Sequence, residues 1–140
     1  MFRDVVIKYY RPELNFGCSE ALLYAANEYY DLQLSKDTFL ASSAFGGGMY
    51  HNEVCGAVSS CLAVTGILYS TGRCHNSDEM KQIEKEVFKR FIEKLGTHYC
   101  EPLKYKYKTD EKRCETMLVT AADILEELIE EHPNNRSKEQ

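Results

Sequence analysis

Thiols carry most of the chemistry this chain can offer. Six cysteines fall within 140 residues: Cys18, Cys55, Cys61, Cys74, Cys100 and Cys114. A thiol can attack a disulfide, be oxidised to one, or ligate a soft metal, and in each case the reactive form is the thiolate. His51 stands four residues before Cys55, where an imidazole could serve as its base or as an extra ligand. Gly46, Gly47 and Gly48 come just before this histidine and Gly56 follows Cys55 directly. Backbone without side chains can approach a sulfur or a bound group closely, although three glycines also suit a plain reversal between helices. The sequence contains no CxxC, CxxCH, HExxH, P-loop or Rossmann glycine pattern. Zinc ribbons, thioredoxin-type pairs and c-type haem attachment are thereby removed.

The elements that must position these residues read as helices throughout. A short helix is predicted over 2–10 and is stopped by Pro12. A second, over 15–30, has Cys18, Leu22, Ala25 and Tyr29 on one stripe. Ser35 caps a third through Ser43, and a helix from near Glu53 to near Gly72, built on the uncharged stretch, forms the next. Ser77, Asp78 and Glu79 open a helix with Met80, Ile83, Val87, Phe91 and Leu95 inward, ended by Gly96. Asp110 caps the last, striped by Cys114, Met117, Leu118, Ala121, Ile124, Leu125 and Leu128. No stretch alternates as a strand does. The expectation is an all-α bundle of about five helices, with a glycine-rich loop before a central buried helix.

On these boundaries Cys18, Cys55 and Cys114 each fall in the first turn of a helix. Free N–H groups and partial positive charge there stabilise a thiolate and lower its pKa. Cys100 lies in the connection after Gly96, which brings the chain back toward the start of the last helix. Cys61, six residues beyond Cys55, points to another face and is expected to pack. Cys74, next to His75 in a loop, reads as incidental.

Composition narrows the classes. The chain is 44% apolar and 28% charged, as globular proteins are, and 140 residues suffice for a core without disulfide staples. A net charge of −5 argues against nucleic acid as the main partner, despite the basic-aromatic run Lys104-Tyr105-Lys106-Tyr107-Lys108. The stretch from Val54 to Gly72 is 19 residues without charge, yet serines, threonines and glycines dilute it and the mean hydropathy is −0.45. It is read as a bundle helix and not as a membrane span. Charge interrupts the apolar N-terminal residues at once, so no secretory signal is expected and the setting is a reducing cytoplasm. One helical domain over 1–132 with a flexible tail over 133–140 completes the expectation. Small residues at Gly56, Ser60, Ala63 and Gly66 would let another helix approach closely, and a homodimer could use them.

The ordered set Cys18, Cys55-Gly56-Ala57, Cys100 and Cys114 resembles the C_GCAxxG_C_C family of redox-active proteins, whose members have about this length, four shared cysteines and a CGAxxG motif. Phe45-Gly46-Gly47-Gly48-Met49 and Ala121-Ala122-Asp123-Ile124-Leu125-Glu126 extend the resemblance over nearly the whole chain. One position departs: Ser60 stands where the family has its closing glycine, and it is still small enough for close helix contact. The resemblance implies a redox role for Cys18, Cys55, Cys100 and Cys114 and leaves out Cys61 and Cys74.

Two chemistries fit such a set. In thiol–disulfide exchange, Cys55 is the expected attacking thiolate, resolved by Cys18 or by a member of the Cys100/Cys114 pair, with an unknown redox partner. Alternatively the four cysteines ligate an iron–sulfur cluster, or, third in order, zinc. Separations of 37, 45 and 14 positions are unlike the tight ferredoxin runs. The rival from another class is a helical interaction module whose cysteines merely pack.

Overall fold

Seven α-helices follow one another in the computed structural model, which describes residues 1–133. They are α1 (Phe2–Tyr9), α2 (Cys18–Tyr29), α3 (Lys36–Ser43), α4 (Gly56–Tyr69), α5 (Asp78–Leu95), α6 (Cys100–Tyr107) and α7 (Glu115–Glu131). Among the described residues there is no strand, only two isolated antiparallel bridges, Val54 with Tyr99 and Thr109 with Arg113. The expected tail lies, from residue 134 on, outside the described residues.

The uncharged stretch becomes α4, with ten of its 14 residues buried. It packs against α2, α5 and α7, so its apolar residues need not keep to one face. It is three residues shorter at each end than expected. At its start, residues 53–55 pair with 98–100 instead of joining the helix. No helix among the described residues is long and apolar enough to cross a membrane.

The two long amphipathic helices follow their stripes. Ile83, Val87, Phe91 and Leu95 of α5 are buried, and Gly96 ends that helix in the left-handed region at φ 91°. On α7 the buried set includes Met117, Leu118, Ala121, Ile124, Leu125 and Leu128. Phe2 and Val6 of α1 and Leu22, Leu23, Ala25 and Ala26 of α2 complete the same apolar cluster. Burying each large aliphatic side chain in it contributes about 1.5–3 kcal/mol.

The expected count of about five helices was too low, chiefly because α6 forms where a connection was read. Pro102 is tolerated there because it is the third residue of the helix, where its missing N–H has no intrahelical acceptor. α2 starts at Cys18 and not near Asn15, since Asn15 takes a left-handed conformation at φ 56° after a separate turn, Pro12–Leu14. Likewise α7 starts at Glu115 rather than just after Asp110, because Thr109 and Arg113 close a turn through mutual backbone hydrogen bonds of 3.2 and 2.7 Å.

The small-residue stripe of α4 divides. Gly56 and Ser60 face α2 and are buried, whereas Ala63 and Gly66 are half-buried. The Ser60 hydroxyl donates to the Ser19 carbonyl at 2.9 Å, and the Ser19 hydroxyl donates to the Ser42 carbonyl at 2.9 Å. Buried hydroxyls thus tie α4 to α2 and α2 to the end of α3, each satisfied by a carbonyl.

Candidate functional site: cysteines at four helix starts

Each of the four cysteines singled out by the sequence opens a different helix. Cys18 is the first residue of α2, Cys55 the N-cap of α4, Cys100 the first residue of α6 and Cys114 the N-cap of α7. Two of these starts are built together. The Cys55 N–H donates to the His98 carbonyl at 2.8 Å and the Cys100 N–H donates to the Glu53 carbonyl at 2.6 Å. This pair of bonds flanks the Val54–Tyr99 bridge, so α4 and α6 leave from one short antiparallel contact. Cys114 is held by its own turn, and its N–H donates to the Tyr10 hydroxyl at 3.2 Å. The neighbouring Arg113 donates to the Tyr10 carbonyl and lies 4.0 Å from the centre of the Tyr10 ring.

Glycines admit the sulfurs. A methyl group on Gly56 would stand 2.5 Å from Cys18 Sγ, and one on Gly48 would stand 2.6 Å from Cys100 Cβ and 2.7 Å from the Glu53 nitrogen. Neither position can carry a side chain without displacing a neighbour. Gly47 contributes its N–H, which is directed at the Cys18 sulfur. Gly46 is less constrained: a methyl there would only touch the Ser19 hydroxyl at 3.9 Å.

The segment around them is unusual in hand. Gly47, Gly48, Met49 and Tyr50 are consecutive residues in the left-handed region, with φ of 64°, 62°, 63° and 52°, and Asn52 follows at 57°. L-residues avoid that region by roughly 1–2 kcal/mol each, so Met49, Tyr50 and Asn52 hold strain that the glycines do not.

All six cysteines are free thiols, and only two of the four, Cys55 and Cys100, are buried, while Cys18 and Cys114 are half-buried. They lie within electrostatic range of one another. Cys18 feels the charges of Cys114 and Cys100, Cys55 those of Cys18 and Cys100, and Cys100 that of Cys114. The helix starts do not, however, lower the thiols of Cys18, Cys55 and Cys100, contrary to the sequence expectation. Burial pushes the Cys55 thiol up to about 12, and the N–H groups of Ala57 and Val58 offset only part of that. Cys18 is also raised, first by burial and then by Cys114, against the N–H groups of Gly47 and Ser19. Cys100 is raised by burial despite the opposing charges of Lys104 and Lys108. Removing water from a sulfur costs more than one or two amide dipoles return.

His51 is exposed in the left-handed segment. The residue opposite Cys55 is His98, through its backbone carbonyl. The His98 ring packs against Phe88 and Tyr99, with centroids 5.1 and 4.3 Å away, and its Nδ1 is buried without a partner among the described residues. Cys61 is fully buried in mid-helix, its thiol 3.5 Å from the Ala121 carbonyl, and Cys74 is exposed, as their positions in the sequence suggested. Among the described residues no group of three or more His, Cys, Asp or Glu side chains is placed to hold a metal ion. The iron–sulfur and zinc readings therefore find no ligand set in this arrangement.

Sequence reasoning missed Tyr10, Arg113 and Lys104. Lys104 alone had a signal, since it lies four residues after Cys100 and so shares its face once α6 is recognised as a helix.

A search of curated proteins and of solved structures returns no match to the chain. The family described as "Putative redox-active protein (C_GCAxxG_C_C)" matches residues 16–128, a span that holds all four cysteines. The chain belongs to this family.

Proposed function

We propose that the protein is a thiol–disulfide redox protein in which Cys18 is the central sulfur and Cys114 its first disulfide partner. One observation supports this reading: of the thiols that act on Cys18, Cys114 acts most strongly. Cys18 and Cys114 are half-buried as residues, whereas Cys55 and Cys100 are buried. On this reading Cys18 and not Cys55 is the attacking sulfur. Exchange runs as two substitutions at sulfur: the Cys18 thiolate displaces one thiol from the incoming disulfide, and Cys114 then displaces the second. A reducing compartment such as the cytoplasm would return the pair to thiols.

Peptide mapping under non-reducing conditions tests this. Mild oxidation of the reduced protein is expected to join Cys18 to Cys114 with the loss of two titratable thiols. Oxidation that modifies only the exposed Cys74, leaving the other five free, would refute the reading in favour of cysteines that only pack.

A further inference from the structure

Tyr10 precedes Cys18 by eight positions in the chain and meets Cys114 in space. It is the C-cap of α1 and is buried. Three different parts of this one residue hold Arg113 and Cys114. Its carbonyl accepts from the Arg113 guanidinium, its ring centre lies 4.0 Å from that guanidinium, and its hydroxyl accepts the Cys114 N–H at 3.2 Å. The hold falls where α7 has least means of fixing itself. Arg113 stands at φ 52°, a left-handed conformation that a residue with a side chain keeps only where its surroundings enforce it. Cys114 is the N-cap of α7, so its N–H has no acceptor inside that helix and is free to be held from outside. The other sulfur is tied to Tyr10 along the chain. The turn Pro12–Leu14 leads toward α2, which opens on Cys18, and α1 packs against α2. Burial pushes the Tyr10 phenol up to about 12, with the charge of Cys114 next and that of Cys18 adding to it. The phenol therefore stays neutral while thiols exchange.

We infer that Tyr10 is a positioning residue of the exchange reaction, holding the start of α7 so that the Cys114 sulfur can resolve a mixed disulfide on Cys18. This role rests on the thiol–disulfide reading above; Tyr10 itself neither forms nor breaks a bond to sulfur. In the step concerned, Cys18 carries a disulfide bond to a small thiol left by an incoming disulfide. Cys114 loses its proton to solvent and its sulfur attacks Cys18 Sγ. The bond to the small thiol breaks, and the departing thiolate takes up a proton. Over both steps two electrons pass from the two protein thiols to the incoming disulfide. The closing step is intramolecular, so its rate follows how often the two sulfurs meet in line. Fixing the Cys114 nitrogen limits where its sulfur can go. Without the Tyr10 hydroxyl that N–H turns to water, and the start of α7 gains freedom that the reaction must then remove.

The test mixes the fully reduced full-length protein with 2,2′-dithiodipyridine, a reactive small disulfide, and quenches samples by alkylation. Mass spectrometry then separates the mixed disulfide from the internal Cys18–Cys114 bond, giving one rate for attachment and one for closure. Tyr10→Phe keeps the ring and loses only the hydroxyl. It should slow closure about tenfold with attachment unchanged, so that the mixed disulfide accumulates. Arg113→Lys keeps the charge but not the planar contact with the ring, and should slow closure by a smaller factor. Tyr30→Phe is the control, because Tyr30 is a second buried tyrosine beside α1, packed on Phe2, whose hydroxyl has no partner among the described residues. Its closure rate should match the wild type. General loosening of the fold would move both steps, whereas positioning moves closure alone. Unchanged closure in Tyr10→Phe, or equal slowing in Tyr30→Phe, would overturn the role of Tyr10 while leaving the redox reading intact. Wild-type protein that attaches the reagent but never joins Cys18 to Cys114 would remove the redox reading, and the positioning role with it.

Discussion

The α5–α7 seam and the cysteine end of the molecule are held by different means. Along the seam, side chains do the work. Ile83, Val87 and Phe91 of α5 and Ile124, Leu125 and Leu128 of α7 are buried, and at its margin Arg90 makes two 2.9 Å hydrogen bonds to the Glu131 carboxylate. The backbone there is ordinary helix. At the cysteine end the backbone itself is distorted. Asn15 precedes Cys18, the run 47–50 and Asn52 precede Cys55, Gly96 precedes Cys100, and Arg113 touches Cys114 in sequence, all at positive φ. A seam needs only matching surfaces. Each of the four helix starts requires the chain to turn sharply before it, and left-handed residues make those turns.

Substitutions can separate the two regions. The largest loss is expected from the seam: Leu125→Ala should cost about 2–5 kcal/mol in denaturant unfolding, without altering which cysteines pair on oxidation. A change in pairing would mean that the two regions are not independent. Next is alkaline pH. Cys55 holds its proton to about 12 in the folded chain against an ordinary 9.0, so the unfolded state deprotonates first as pH rises. Its contribution to stability is complete below pH 9 and declines between 9 and 12. Wild-type protein should therefore lose about 1.4 kcal/mol per pH unit more than Cys55→Ala across that window. Equal slopes would show that this sulfur is not sheltered.

Gly48→Ala should cost about 1–3 kcal/mol, from overpacking against Cys100 and the Glu53 backbone together with its positive φ. Unlike Leu125→Ala it should also change thiol reactivity, measured by alkylation rates. A stability loss with unaltered rates would detach the glycine from the sulfurs. The smallest effect is at Ser60→Gly, which restores the family residue and removes the bond to Ser19. It should cost about 1–2 kcal/mol, from one hydrogen bond and one helical glycine. A gain in stability would show the hydroxyl to be a burden at that contact.

The seam was almost fully legible in the sequence, because a stripe such as Ile83, Val87, Phe91, Leu95 states both the helix and its inner face. The convergence of cysteines on helix starts was legible for the same reason at positions 18, 55 and 114. Cys100 was placed in a connection because an eight-residue helix with Pro102 in its first turn has too little periodicity to be seen. The acidity of the thiols was misjudged because helix starts are local and readable, whereas depth of burial depends on what the rest of the chain lays over them.

The two amide bonds beside Val54 and Tyr99 have one further consequence. They are reciprocal, and they fasten segments 45 positions apart at the roots of α4 and α6. Such a clasp opens whole or not at all: any motion that frees the Cys55 proton from His98 frees the Cys100 proton from Glu53 as well. Protection of those two amides against hydrogen exchange is therefore expected to be a shared property.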